Sequence, residues 1–395
     1  MLTLKGKYNE AKVFTNNIEE TATGQIIELC NQEFVKGNKI RIMPDTHAGA
    51  GCTIGTTMTI QDKIVSNLVG VDIGCGMHVA IIDKKKEEIK FDQLDEVIYN
   101  HVPNGFSIRS TAHSFANMVD FKSVRAPFNL QRAQNSIGTL GGGNHFIEVN
   151  EDEAGNVYLI IHSGSRHLGK QIAEHYQNLA YEQIMNVKSV KDEIIERLTK
   201  EGRQHEIHDA LRGVKQPKIR KEFAYLEGQG FKDYMHDMKI AQYYAALNRQ
   251  AMIDVIVAKM GWKITDSFDT IHNYIDMDNM IMRKGAISAQ QGERVIIPIN
   301  MRDGSIIAFG KGNPDWNFSA PHGAGRIMSR RKAKDSLDIE EFTNTMAGVW
   351  TTSVVESTLD EAPMVYKPMD EIIENTKDTI DIKDIIKPLY NFKAK

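Results

Sequence analysis

The stretch Val69-Gly70-Val71-Asp72-Ile73-Gly74-Cys75-Gly76-Met77-His78 constrains this chain more than any other. A short apolar run, Val69 to Ile73, reads as β-like and delivers Asp72 and Cys75 onto a turn built with Gly70, Gly74 and Gly76. Glycine lets backbone fold tightly and come close to something bound. A carboxylate and a thiol three residues apart can reach one metal ion, or the sulfur can bridge two. Read alone, the pattern is a half-buried aspartate beside an ordinary buried cysteine. What lifts it is how often the chain repeats the device of a short apolar run ending in small residues and a ligand.

Ile40 to Met43 reads as a strand running into a loop, Pro44-Asp45-Thr46-His47-Ala48-Gly49-Ala50-Gly51, either a functional loop or an Asx-type turn with a satisfied histidine. Gly138-Thr139-Leu140-Gly141-Gly142-Gly143 precedes Asn144-His145-Phe146-Ile147-Glu148. Three consecutive glycines are costly in chain entropy, and a fold tolerates them where backbone must lie against a ligand. Strand alternation beyond them puts Asn144 and Glu148 on one side and His145 on the other. Val157 to Ile161 is the clearest buried strand and ends on His162-Ser163-Gly164-Ser165-Arg166. His272-Asn273 follows a polar turn. His322-Gly323-Ala324-Gly325-Arg326 is read as opening a helix through Met328 to Arg331, with glycine-spaced amides suited to phosphate.

Between these lie simpler segments. Thr23 to Lys36 and Lys170 to Asn186 are expected to be helical. Tyr234 to Met260 carries a strong helical stripe through Met238, Ala241, Ala245, Met252 and Val255, with Asn248 on the same stripe and in need of a partner. Residues 187–222 read as solvated helix and linker, whose basic end, Lys215 to Lys221, could meet RNA. Thr56 to Ile60, Met77 to Ile82 and Met282 to Ser288 read as strands, and Val295 to Ile299 pairs with Ile306 to Phe309 as a hairpin. Arg109, Lys122, Arg125 and Arg132 are surface charges that gain meaning only as phosphate contacts.

The charge balance, 48 basic against 52 acidic residues, argues against bulk binding of nucleic acid but leaves room for a local basic groove. Three cysteines, Cys30, Cys52 and Cys75, make no disulfide framework and fit a reducing compartment. Met1 to Glu10 lack the apolar core of a signal peptide, and no apolar run approaches a membrane span, so a cytoplasmic globular enzyme is expected. Strands and helices alternate without repeats or a clear boundary. The expected fold is α+β, a single large mixed domain over 1–395 with central sheets flanked by helices and a charge-rich helical excursion near 187–260.

Asp72, Cys75, His145, His162 and His272 are five candidate metal ligands, and His322 is a sixth candidate in a phosphate-binding context. Mixed oxygen, nitrogen and sulfur donors suit a divalent transition metal. The thiolate favours zinc, while the carboxylate and imidazoles tolerate manganese, and the residues alone leave that choice open.

These motifs, in this order, resemble the RtcB family of RNA ligases. The resemblance rests on Met43 to His47, Gly70 to Gly76, Leu140 to Glu148, Ile161 to Arg166, His272-Asn273, His322 to Arg326 with Met328-Ser329-Arg330, Ala362 to Lys367, and Lys393. It implies a GTP- and manganese-dependent ligase that joins an RNA 3′-phosphate or 2′,3′-cyclic phosphate to a 5′-hydroxyl. By the same resemblance Asp72 and His145 would hold one Mn²⁺, His162 and His272 a second, and Cys75 both. His322 would carry GMP. The guanylate would be held among Asn144, His145, Phe146, Ile147, Glu148, His272, Asn273, Asn300, Met301, Arg302, Asp303, Ser305, His322, Gly323, Ala324, Gly325 and Lys393. RNA is the implied partner, with archease as a candidate activator and no membrane. Arg302-Asp303 stands where many relatives have Gly-Thr, Ala320-Pro321 where a cysteine is usual, and the chain reads Lys393-Ala394-Lys395 near its end. The alternative is a binuclear metal phosphoesterase that would not need His322 as a covalent carrier. A further alternative makes Cys75 a nucleophile near histidines.

Overall fold

The computed structural model describes residues 1–214 and 218–394. The architecture is the expected mixture of helices and largely antiparallel sheets. Lys215, Gln216 and Pro217, part of the basic segment considered for RNA, lie outside the described residues.

Seven strands form the path of the larger sheet, in the spatial order Arg294–Asn300, Gly304–Gly310, Ile380–Lys393, Phe146–Glu151, Val157–Ser163, Gly76–Ile82 and Ile264–Ile271. Trp350–Thr351 adds a short parallel pairing to Ile380–Lys393. Both faces of this sheet are buried. Leu159 and Ile161 face a helical layer with Ile147, Val149, Met252, Ile253 and Ile256. Tyr158 and Ile160 face the other way, into a layer with Met77, Val79, Phe146, Ile296 and Ile307. Period-two alternation explains the split, and it carries His162 to the second face with Ile160. Ile296 and Ile307 come from the far end of the same sheet, which therefore curls over this face.

A smaller sheet runs in the order Leu2–Lys5, Glu10–Val13, Ile40–His47, Ile54–Thr59, Ile281–Lys284 and Asn273–Asp276. Ala286–Ser288 pairs with Ser319–Pro321 and delivers the chain to His322. The long helix Gly228–Met260 packs against Arg166–Met185 and against two strands of the larger sheet.

Several boundaries differ from the sequence reading, each for a tertiary reason. Val69 to Ile73 is not a strand: a 3₁₀ turn at Ser66–Leu68 leads into bends, and Gly74 has φ of +69°. A Cβ at Gly74 would also stand 2.9 Å from Cβ of Ala245 on the long helix, so the turn is pressed onto that helix. The helix expected over Thr23 to Lys36 spans Glu20–Cys30 instead. Amides of Tyr8 and Asn9, in the turn between the first two strands, donate to the Cys30 carbonyl that a further helical turn would have used, and Asn31 Oδ1 accepts from the Lys7 amide. The expected loop from Pro44 is strand as far as His47. Pro44 is tolerated because the register with Ile54–Thr59 breaks between Ile42 and His47. The helix expected to open at His322 begins only at Arg330, capped by Ser329, whose Oγ accepts from the Lys332 amide at 3.2 Å. Residues 322–329 are therefore a loop, and any phosphate held there meets loop amides rather than a helix terminus.

Candidate active site

The sheet order places the site. Cys75 immediately precedes strand Gly76–Ile82, and His145 immediately precedes Phe146–Glu151. His162 lies near the end of Val157–Ser163, and His272 follows the end of Ile264–Ile271. These four strands are neighbours and antiparallel, so strand beginnings and strand ends meet at one edge. Met77 pairs with His162, Phe146 pairs with His162, and Gly76 pairs with Ile271. Neighbouring strands lie only about 5 Å apart. Residues up to 197 positions apart in sequence, 272 − 75, are thereby gathered at one point.

Cys75 Sγ is 3.4 Å from His145 Nε2 and 3.3 Å from His162 Nε2. His145 Nε2 is 2.9 Å from Asp72 Oδ2, and His162 Nε2 is 3.3 Å from His272 Nε2. The donor atoms form two clusters, Asp72–Cys75–His145 and Cys75–His162–His272, each with all atoms within 4.8 Å, and Cys75 belongs to both. Such a cluster could hold a metal. The rings are aimed from behind: His145 Nδ1 contacts the Leu140 carbonyl at 2.8 Å and His162 Nδ1 the Asn144 carbonyl at 3.1 Å. A ring that donates from Nδ1 keeps the Nε2 lone pair for a cation. Asp72 Oδ1 is buried with no hydrogen-bond partner among the described residues, as a ligand oxygen waiting for a cation would be. Gly164 makes room for that carboxylate, since a Cβ there would stand 2.2 Å from Asp72 Oδ1.

Electrostatics match. Burial, reinforced by His145 and His322 respectively, holds the His162 and His272 imidazoles well below their ordinary pKa, so both are neutral near pH 7. Burial and the Asp72 charge push the Cys75 thiol well up. Burial opposes ionisation of Asp72, but the His145 hydrogen bond and the charges around it outweigh that and hold the carboxyl below its usual range.

Beneath the ligands, Asn248 and Arg249 of the long helix tie three ligand-bearing segments together. Asn248 Oδ1 accepts from the Gly138 and Thr139 amides at 2.8 and 3.0 Å, and its Nδ2 donates to the Gly164 carbonyl at 3.0 Å. Arg249 Nη1 donates to the carbonyls of Gly74 at 2.7 Å and Ser163 at 3.0 Å, next to Cys75 and His162. The asparagine is satisfied, as expected, and it also braces the site. Arg249 is fully buried and also pairs with Asp269. Replacing it with methionine orphans two buried carbonyls and leaves the Asp269 carboxylate with His78 and solvent. Arg249→Met should therefore lower stability by about 2–5 kcal/mol, read from urea unfolding midpoints.

His322 stands beside this cluster, its ring centroid 4.7 Å from that of His272. Asp45, fully buried, accepts from the His322 backbone amide at 3.1 Å, and its Oδ2 lies 2.6 Å from Nδ1. That leaves Nε2 as the free nitrogen. Asp45 is the residue whose part the sequence reading did not assign. Its partner lies 277 residues away, beyond any local sequence pattern.

A cavity of about 290 Å³ joins these groups. Asp72, Cys75, His162, His272 and His322 line it, as do Asn144, Phe146, Glu148, Asn273, Asn300, Met301, Gly323, Ala324, Gly325 and Lys393. Asn144 and Glu148 share that side with Phe146, as alternation required, while Ile147 points into the core. Ser305 is buried and does not line the cavity. Arg302 and Asp303 pair with each other and line a separate pocket that shares Asn300 and Tyr366 with the first. Glu361, unmarked by any sequence pattern, lies at the wall: Lys393 Nζ and Tyr366 hydroxyl donate to its Oε2 at 2.8 and 2.9 Å, and Arg330 to its Oε1 at 2.5 Å. Burial opposes its ionisation, but Lys393 and Arg330 outweigh it and bring the carboxyl down to about 2.

Glu148 behaves oppositely. Burial raises its carboxyl to about 7, although Asn150, Asn391 and Lys393 favour the charge. The folded state then holds a proton that the unfolded chain, near 4.5, has already lost. Its contribution to stability should fall as pH rises from about 4.5 to about 7, by an order of about 3 kcal/mol at most. The buried His162 and His272 tilt the profile the other way below about 6.5, so the Glu148 contribution is read as the difference in melting between wild type and Glu148→Gln across that window, without nucleotide.

The profile of the family described as tRNA-splicing ligase RtcB matches residues 25–128 and 120–394. The chain is 31% identical over 408 aligned residues to the RNA-splicing ligase RtcB of Escherichia coli (strain K12), covering 92% of each. It is 26% identical to the tRNA-splicing ligase RtcB of Aeropyrum pernix, over 84% of this chain and 83% of that one. To the tRNA-splicing ligase RtcB of Nanoarchaeum equitans it is 25% identical, over 85% and 83%. No described helix is long and apolar enough to cross a membrane.

Proposed function

This chain belongs to the RtcB family of tRNA-splicing ligases, and on that premise we propose that it joins RNA 3′-phosphate or 2′,3′-cyclic phosphate ends to 5′-hydroxyl ends through GMP carried on His322. The observation that carries this reading is the seating of His322: Nδ1 held by buried Asp45, Nε2 free, in the cavity that Asp72, Cys75, His162 and His272 line.

His322 Nε2 attacks the α-phosphorus of GTP; a P–N bond forms, the bond to pyrophosphate breaks, and pyrophosphate leaves. Asp45 holds the ring in the tautomer that attacks and balances the charge it gains. An oxygen of the RNA 3′-phosphate then attacks the same phosphorus, the P–N bond breaks, and the imidazole is restored. Finally the 5′-hydroxyl attacks the activated 3′-phosphorus, losing its proton, and GMP leaves. A cyclic phosphate must first be opened by water. Asn144, Phe146, Glu148 and Lys393 line the wall where the guanylate would sit, and the 322–325 loop offers amides to its phosphate.

The mixed donor set suits a divalent transition metal; Asp72 and His145 would hold one Mn²⁺, His162 and His272 another, and Cys75 would serve both. Bound there, the ions would neutralise phosphate charge and acidify a hydroxyl. Archease and a cytoplasmic setting belong to the same proposal.

The test is an RNA pair bearing a labelled 3′-phosphate and a 5′-hydroxyl, incubated with the protein, Mn²⁺ and GTP. A joined, phosphatase-resistant product that requires GTP is expected. Release of phosphate without joining would instead identify a phosphoesterase.

A further inference from the structure

Phe106 is 95% exposed, the most exposed large apolar side chain among the described residues. Nothing in folding calls for a phenyl ring in water, where its burial elsewhere would be favourable. The turn that carries it is nonetheless firmly seated. Ser107 donates to the Asn104 carbonyl at 3.1 Å, and Asn104 bridges to Gly141. Gly105 donates to the Gly141 carbonyl and Leu140 to the Pro103 carbonyl, both at 2.9 Å. The turn is therefore stitched to the same glycine-rich ribbon whose Leu140 carbonyl aims His145.

The ribbon under the turn carries little side chain. Gly142 is half-buried and Gly143 and Asn144 are exposed, and a Cβ at Gly142 would meet only the Gly105 Cα, at 3.8 Å. Positive charge lies under the ribbon. Arg166 fills the place of a Gly141 side chain, and its Nη1 is 3.2 Å from His145 Nδ1. Arg166 Nε is buried with no partner among the described residues. Arg109 Nη1 lies 3.2 Å from where a Gly138 Cβ would be. Of the scattered basic residues, Arg125 is committed to Asp233 and is not available to a phosphate in the same way.

An exposed aromatic face on a rigid turn, with guanidinium groups along the backbone track beside it, is how single-stranded nucleic acid is held without regard to sequence. We propose that Phe106 is a stacking platform for a base of the RNA end being joined, beside the Asp72–Cys75–His145 edge of the site. This rests on the RNA-ligase reading.

The test uses the full chain with Mn²⁺ and short RNAs carrying 2-aminopurine at either the 3′-phosphate end or the 5′-hydroxyl end. Wild-type protein should quench one of the two probes, which identifies the strand. Phe106→Ala should abolish that quench and weaken RNA binding about tenfold. Phe106→Trp should restore both, and Phe106→Leu should restore neither, because leucine is apolar but cannot stack. Because the ring is exposed, melting temperatures should not move. Equal quenching and affinity across wild type, alanine and leucine variants would overturn the platform, as would equal rescue by leucine. Labelling of wild-type protein by GTP with Mn²⁺, without RNA, is read in a separate sample. Absence of that label would remove the ligase reading while the quench still judges Phe106.

Discussion

His322→Ala should take up no GMP from labelled GTP, whereas the wild-type chain should carry an acid-labile, alkali-stable adduct. The expected loss is about 10⁴-fold or more, because a covalent carrier has no partial substitute. Geometry supports so large an effect. Asp45 Oδ2 lies within hydrogen-bond reach of both the backbone amide and Nδ1 of His322, so the ring is fixed in place and in tautomer. Asp45→Asn keeps the shape of that partner and removes its charge. It should lower adduct formation by roughly 10²- to 10⁴-fold, below the damage of losing the nucleophile. The adduct is read on a denaturing gel after acid and alkali treatment. Undiminished label in His322→Ala would sink the assignment.

Removal of the shared sulfur is the second large expected effect. Cys75→Ala strips one ligand from each cluster at once, so both sites weaken together rather than one alone. Metal content after gel filtration should fall from two Mn²⁺ per chain to fewer than one. Apparent affinity should drop roughly 100-fold or more, since even outer-shell losses cost about 10- to 100-fold. Because burial and Asp72 keep the Cys75 thiol protonated, metal uptake should release a proton, which calorimetry in buffers of different ionisation enthalpy detects. Mn²⁺ should also slow alkylation of Cys75. Two ions retained at wild-type affinity in Cys75→Ala would rule out the bridging role.

Legibility in the sequence was uneven. Val157 to Ile161 was plain as a strand because all its residues are apolar and both faces of its sheet are covered. The stripe on the long helix was equally plain, since burial there follows the helical period. Val69 to Ile73 misled, because Val69 and Ile73 are buried in a turn pressed on that helix while Val71 between them is exposed. Periodicity cannot separate a short buried turn from a short buried strand.

The six ligand and nucleophile candidates were visible in the chain, because the same device of a ligand among small residues at the end of an apolar run recurs several times. Their residue types also delimited the chemistry to soft-and-hard mixed ligation with an imidazole nearby. Only the tertiary structure decided that Cys75 belongs to two clusters, that His322 leans on Asp45, and that Glu361 gathers Lys393, Arg330 and Tyr366. These are relations between strands made adjacent by hydrogen-bonded register. Register depends on the whole sheet, so no local window of sequence contains it.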